Sequence, residues 1–199
     1  MTGAVRRGID VGIAVVGLVV LSPLVVVLAI AVKATSPGPV LHRAVRVGRH
    51  GQLFPLLKFR TMVVGAAHAG PAVTRSGDPR ITPIGRLLRR TKLDELPQLV
   101  NVLGGQMSLV GPRPEDPRYV ALYDERERHV LDVRPGITGA ASLRYRDEEA
   151  VLASFESDLE AAYLVVMRDK LKIDLDYLAH RTIRSDLSLV LETLLAVVR

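Results

Sequence analysis

The sequence predicts a mostly helical α+β chain: one apolar N-terminal membrane segment, then a compact domain that holds a short β-hairpin. Three observations carry this prediction. Val11 to Val32 contains no charged residue. Val40 to Val47 and Leu53 to Arg60 are β-compatible runs separated by Gly48-Arg49-His50-Gly51, which reads as a hairpin. Most of the remaining apolar residues fall in helical stretches bounded by Gly- and Pro-rich breaks.

The membrane segment comes first. As a helix, at about 1.5 Å per residue, it reaches about 33 Å, against a hydrocarbon core of roughly 30 Å. Nothing like Ala-x-Ala follows it, so a cleaved signal peptide fits poorly. Ser22-Pro23 lies at its middle, where the proline removes a backbone donor and the serine hydroxyl can bond a freed carbonyl. Arg6 and Arg7 precede the run, and Lys33, Arg43, Arg46 and Arg49 follow it. Positive residues prefer the cytoplasmic side. A helix that breaks at Ser22-Pro23 and returns to the same face satisfies both flanks; a kinked spanning helix is the alternative.

Thr35-Ser36-Pro37-Gly38-Pro39 marks the exit, giving a membrane helix over 1–34 and a second domain over 35–199. Ile84 to Arg90 reads as a basic amphipathic helix. Thr91 to Leu103 reads as a helical stretch interrupted by Pro97 and ended by Gly104-Gly105. Val110 to Pro114 is an extended loop, and Arg134 to Gly139 a turn. Tyr119 to His129, Glu148 to Lys170 and Leu187 to Val198 read as helices.

Composition limits the chemistry. Hydrophobic residues make up 48% of the 199 and charged residues 24%, so wholesale disorder is excluded. A mean hydropathy of +0.23 is high for so charged a chain and matches apolar residues concentrated in one place. The absence of cysteine excludes a disulfide scaffold, a thiolate zinc site and a Cys nucleophile, and fits a reducing cytoplasm. The net charge of +6 hides an asymmetry: residues 1–100 hold 14 Lys and Arg against 4 Asp and Glu (+10), and residues 101–199 hold 13 against 17 (−4). The basic half calls for an anionic partner: nucleic acid, phospholipid headgroups or a phosphorylated substrate. Nucleic-acid modules, a Walker-type loop and metal-spaced histidines are all missing from the sequence.

The densest constellation is Arg89-Arg90-Thr91-Lys92-Leu93-Asp94-Glu95-Leu96-Pro97-Gln98. Two adjacent carboxylates beside cations stay ionised, so Asp94 is a competent nucleophile toward phosphorus and Glu95 can help hold magnesium. Thr91 or Asp94 serves as an N-cap in this reading, since Pro97 suits only a first turn. A capped, solvated helix start explains the same residues. Arg113, between Pro112 and Pro114, is a rigidly presented guanidinium suited to phosphate, or an ordinary surface arginine in a turn. Lys58 and Arg60 lie on one side of a strand with Phe59 on the other.

Lys58-Phe-Arg-Thr-Met62, Leu93-Asp-Glu-Leu-Pro-Gln98, Met107-Ser-Leu-Val-Gly-Pro-Arg-Pro114 and Arg134-Pro-Gly-Ile-Thr-Gly139 together resemble the bacterial sugar transferases, the monotopic phosphoglycosyl transferases. The likeness covers the whole chain, including Lys170 to Tyr177 and Ser188 to Leu194, and is to the minimal catalytic form. It implies transfer of a sugar 1-phosphate from a UDP-sugar to undecaprenyl phosphate, with release of UMP, as the first membrane step of a glycoconjugate pathway. It implies Asp94 as nucleophile through a phosphosugar-enzyme intermediate, and magnesium as cofactor with Asp94 and Glu95 as its ligands. Arg89 and Arg113 match the family's phosphate-binding arginines, with Lys58 and Arg60 as further phosphate-binding cations. Ser22-Pro23 matches the kink of a re-entrant helix, and the expected fold is a compact, mostly helical α+β domain on the cytoplasmic face of the inner membrane. The expected partners are the two substrates and the bilayer, not nucleic acid; a homodimer is compatible with the likeness. Ala140 to Glu148 departs from the Trp- or Gln-containing segment of many members, so the sugar does not carry over. Other readings are a phosphohydrolase using the same Asp, with water as acceptor, and a non-catalytic membrane scaffold.

Overall fold

The computed structural model describes residues 2–66, 69–70, 73–74, 77–155 and 158–198. Among them the chain is mostly helical, with two small two-stranded sheets.

Helix α1 spans Thr2–Thr35 and includes Pro23. A proline leaves the carbonyl four residues back without its helical donor. Here that carbonyl belongs to Val19, and the Ser22 hydroxyl donates to it at 2.8 Å. With this local repair the helix runs through Ser22-Pro23 as one element, and the expected break into two segments is not seen. Packing holds it on both sides of the proline, through buried Ala14 before it and buried Leu28 and Val32 after it. The opposite face, with Val16, Val19, Val20, Val26, Val27 and Ile30, is exposed. A helix apolar all round, buried on one face only, carries a surface suited to lipid.

Strands β1 (Leu41–Val47) and β2 (Leu53–Phe59) form the expected antiparallel hairpin, with Leu41 opposite Phe59 and His42 opposite Lys58. Alternation puts Phe54, Leu56 and Lys58 on one face. Phe54 and Leu56 are buried there, which fixes where Lys58 projects. The outer edge of β2 is covered by a side chain. Buried Asn101 accepts from the Leu57 amide at 3.0 Å and donates to the Pro55 carbonyl at 2.8 Å.

Helix α2 (Pro83–Arg90) starts on Thr82, whose hydroxyl accepts from the Gly85 amide, with Pro83 in the first turn. Leu88 is fully buried in a cluster with Leu28, Val32 and Phe59. Thr91 ends this helix rather than starting the next: its hydroxyl bonds the Leu87 and Leu88 carbonyls. Lys92 then turns the chain with a φ of 55°, and a 3-10 turn at Leu93–Glu95 precedes α3 (Gln98–Leu103).

Strand β3 (Ser108–Val110) pairs in parallel with β4 (Gly136–Thr138). The turn read over Arg134 to Gly139 therefore contains a strand. A Cβ on Gly136 would lie 2.2 Å from the Gly111 amide nitrogen, so this close approach requires glycine. Tyr119 to His129 is not one helix but a short α4 (Pro117–Val120) and a separate 3-10 stretch (Glu127–Asp132). After α5 (Ala140–Arg144), the helix expected over Glu148 to Lys170 divides into α6 (Glu148–Ala153) and α7 (Leu159–Ala179). Helix α8 covers Ile183–Val198. Helix α7 buries Ala162, Tyr163, Val166 and Met167 against Tyr119, Tyr123 and Val130. Another cluster joins Ala14, Leu56, Val102, Met107 and Leu189, so α1 is part of the domain's packing and not an appended anchor.

Replacing Leu88 by Ala opens a cavity between α2 and the end of α1, at a cost of about 2–5 kcal/mol. Thermal unfolding of the detergent-solubilised protein should show a clearly lower midpoint, while Leu87→Ala, on the exposed side of α2, should change it little.

Candidate active site

A groove of about 1840 Å³ opens across the domain. This exceeds the roughly 300–1,000 Å³ of a usual single-ligand pocket. Asp94, Glu95, Lys58, Arg89 and Arg113 all line it.

The two carboxylates of the dyad are held very differently. Glu95 is gripped from two sides: Arg113 donates to its Oε1 at 2.6 Å and to its Oε2 at 3.3 Å, and Lys58 Nζ donates to Oε1 at 3.1 Å. Burial alone would raise the Glu95 pKa, but Arg113 and Lys58 override it and hold Glu95 well below the usual carboxylate range. The same pairing raises Arg113, whereas burial lowers Lys58. Asp94, only 6% exposed, has no such partner: its Oδ1 is buried without a hydrogen bond. Burial raises its pKa, and Lys58 opposes the rise.

Local structure explains the split. The left-handed Lys92 and the 3-10 turn present two consecutive side chains at one corner. Lys58 arrives from β2, and Arg113 from the loop after β3. Asp94 sits in the 3-10 turn ahead of α3 and makes no cap bond, so the expected capping role is corrected. Gln98, four residues on, is also buried with an unpartnered Nε2.

The other predicted cations divide. Arg89 lies in the groove, with its Nε on the Thr61 hydroxyl at 3.0 Å and Nη1 on Glu149 at 3.0 Å. Arg60 does something else. It is buried, and its terminal nitrogens donate to the carbonyls of Ser36 at 2.8 Å and Pro37 at 2.6 Å, beyond the end of α1. Orphan carbonyls at a helix C-terminus attract a guanidinium. Arg60 therefore caps the end of α1 while also lining the groove.

Three contributors escape sequence reasoning. His42 lines the groove as the cross-strand partner of Lys58, which only the hairpin register reveals. Glu149 engages Arg89 from a stretch that reads as an ordinary helix. Buried Asp10 accepts from the Ser108 hydroxyl at 2.7 Å and the Leu109 amide at 3.1 Å, tying α1 to β3. An acid at the edge of an apolar run was the available signal.

A pair of unlike carboxylates in a cation-lined groove is chemistry for anionic substrates. The chain belongs to the bacterial sugar transferase family, whose model matches residues 1–199. It is 36% identical over 196 residues to the UDP-glucose:undecaprenyl-phosphate glucose-1-phosphate transferase of Escherichia coli strain K12, covering 94% of this chain and 39% of that protein. The protein of the same name from Caulobacter vibrioides is 38% identical, with 94% and 67% covered. The exopolysaccharide production protein ExoY of Sinorhizobium fredii is 34% identical, with 98% and 89% covered. The chain spans about two-fifths of the Escherichia coli relative and two-thirds of the Caulobacter one.

Replacing Glu95 by Gln leaves Arg113 and Lys58 facing each other without a counter-charge, at a cost of about 1–3 kcal/mol. Its melting temperature should fall, and Glu95→Gln combined with Lys58→Met should recover part of the loss. An additive double variant would contradict the clamp.

Proposed function

We propose that the protein transfers a sugar 1-phosphate from a UDP-sugar to undecaprenyl phosphate in two displacements at one site. The single observation that supports this most is the asymmetry of the dyad. Glu95 is held as an anion by two cations, while Asp94 beside it keeps a buried, unpartnered oxygen facing no competitor. The names of the Escherichia coli and Caulobacter relatives supply the substrate classes.

In the first displacement an Asp94 carboxylate oxygen attacks the β-phosphorus of the UDP-sugar. The bond from that phosphorus to the bridging oxygen breaks, and UMP leaves with the oxygen and the electron pair. In the second, a phosphate oxygen of the lipid attacks the same phosphorus and the Asp94 carboxylate departs. The product is a polyprenyl diphosphate sugar. Neither leaving group needs a proton, so the site requires cations more than a general acid. Arg113, Lys58 and Arg89 line the same groove as Asp94 and are the cations this reading assigns to the substrate phosphates.

Magnesium fits this donor set. Such ions are commonly held by one or two carboxylates plus substrate phosphates. The free Asp94 oxygen and the remaining lone pairs of Glu95 would hold it, and it would neutralise charge on the diphosphate.

The same reading extends to the membrane. Both ends of α1 are tied to one domain. At the start, Arg6 pairs with Asp186 at 3.0 Å and Arg7 donates to the Val102 carbonyl at 2.7 Å; at the end, Arg60 holds Ser36 and Pro37. A straight spanning helix would leave one end across the bilayer. A helix bent at Pro23 that dips into the cytoplasmic leaflet keeps both.

Asp94→Asn should lower turnover by several orders of magnitude, with UMP release following ping-pong kinetics over a panel of UDP-sugars. Sequential kinetics with a substantially active Asp94→Asn variant would exclude the reaction. The acid limb of kcat/KM should lie above the ordinary Asp value of about 4, because burial disfavours the ionised form. Lys58 favours that form, so Lys58→Met should move the limb to higher pH; a downward move contradicts the assignment. For topology, Thr2→Cys and Thr35→Cys should both resist an impermeant thiol reagent on intact cells, and labelling of one alone would demonstrate a spanning helix.

A further inference from the structure

We propose that the groove extends beyond the dyad into an apolar arm, lined by α1 and α8, that takes the isoprenoid tail of the lipid phosphate. This deepens the function proposed above and rests on it. The same cavity that contains Asp94 and Glu95 is lined by Ile13, Gly17 and Leu21 of α1 and by Val190, Thr193 and Leu194 of α8. The four-residue spacing on α1 makes one continuous stripe, about 12 Å long. The spacing on α8 likewise keeps its three residues on one side.

The chemistry of the arm is that of a hydrocarbon site. The hydroxyls of Thr138 and Thr193 lie 2.6 Å apart, and Thr193 also bonds the Leu189 carbonyl at 2.7 Å. Their polar atoms are satisfied within the protein and ask nothing of a ligand. Gly17 puts no side chain into the arm; a Cβ there would meet Leu99, another lining residue, in ordinary contact at 3.4 Å, so a larger side chain would take up space in the arm. A nucleotide-sugar has no apolar part to fill such a space, and burying its hydroxyls against it would cost several hydrogen bonds.

The arm also has an exit. Leu194 both lines the cavity and belongs to an exposed stripe on α8 with Leu187, Leu191 and Leu195. On α1, exposed Val16 and Val20 adjoin the lining positions in sequence. An amphiphile whose phosphate reaches the cations at the dyad can therefore leave its tail along the arm and out onto the lipid-facing surface. One cavity lined both by the charged residues around the dyad and by these apolar residues of α1 and α8 matches one molecule with a charged head and an apolar tail.

The test uses a polyprenyl phosphate with a diazirine in its isoprenoid chain, photolysed with the full-length protein in nanodiscs without donor. Label should fall on peptides containing residues 13–21 or 190–196, and excess undecaprenyl phosphate should remove it. Label confined to 26–30, or label that does not compete, overturns the arm. In parallel, Gly17→Leu should retain stoichiometric UMP release from the donor within about twofold, while transfer to undecaprenyl phosphate falls at least about tenfold. Unimpaired transfer in a folded Gly17→Leu protein also overturns it. Should that variant lose both steps, the photolabelling of the unsubstituted protein decides. Unsubstituted protein that releases no UMP from any UDP-sugar overturns the proposed reaction instead, separately from the arm.

Discussion

The grip of Arg113 and Lys58 on Glu95 joins three distant parts of the chain at one corner. A strand, a 3-10 turn and a post-strand loop have no direct reason to meet, and each brings a charge that would be costly to bury alone. Together the three charges satisfy one another, and the backbone elements follow. Val110 to Pro114 is held close to β4 by Gly111 and Gly136, which sets the reach of Arg113. Phe54 and Leu56 seat β2 so that Lys58 points at the same place. The consequence for chemistry is a division of labour. Glu95 takes up the cations, and Asp94 is left buried with an unpartnered oxygen, the feature on which its proposed role rests.

The long apolar helix is built into the packing of the domain. Most of its residues are interchangeable in type, but its polar ones are specific. Arg6 joins Asp186, which also receives Arg181 and Tyr177. Arg7 caps α3, Asp10 holds β3, and Arg60 caps the far end. Asp10 of α1 bonds the first two residues of β3, and Arg113 lies in the loop that follows that strand, so α1 is tied to the strand that leads into the site. The serine hydroxyl on the Val19 carbonyl lets a proline sit in this helix without an orphaned acceptor.

Much of this was legible in the sequence, and the failures have physical causes. The hairpin was readable because Gly48 to Gly51 separates two runs of the right length. Helix α2 was readable from its basic amphipathic pattern over Ile84 to Arg90, and the structure adds the Thr82 cap and Pro83 just before it. The dyad stood out as adjacent acids among cations. Strands β3 and β4 were hidden, since three residues each beside Gly and Pro look like turns; only their mutual pairing makes them strands. The division between α6 and α7 carries no Gly or Pro to announce it, and Leu152 and Leu159 on either side are buried in one cluster. The bonds of Arg60 to backbone carbonyls were hidden, because charge in a sequence says nothing of partners. At Ser22-Pro23 the sequence shows a proline and a possible repair, and the structure supplies that repair within one continuous helix packed on both sides of it.

The central claim is that Asp94, freed by the clamp on Glu95, becomes covalently attached to the sugar phosphate. The most direct measurement is mass spectrometry and label tracing of the protein incubated with a sugar-labelled UDP-sugar and no lipid. The account predicts one hydroxylamine-sensitive adduct per chain, on the peptide containing Asp94, discharged when undecaprenyl phosphate is added. A protein that turns over both substrates yet never carries label, or carries it on Glu95, would contradict the account.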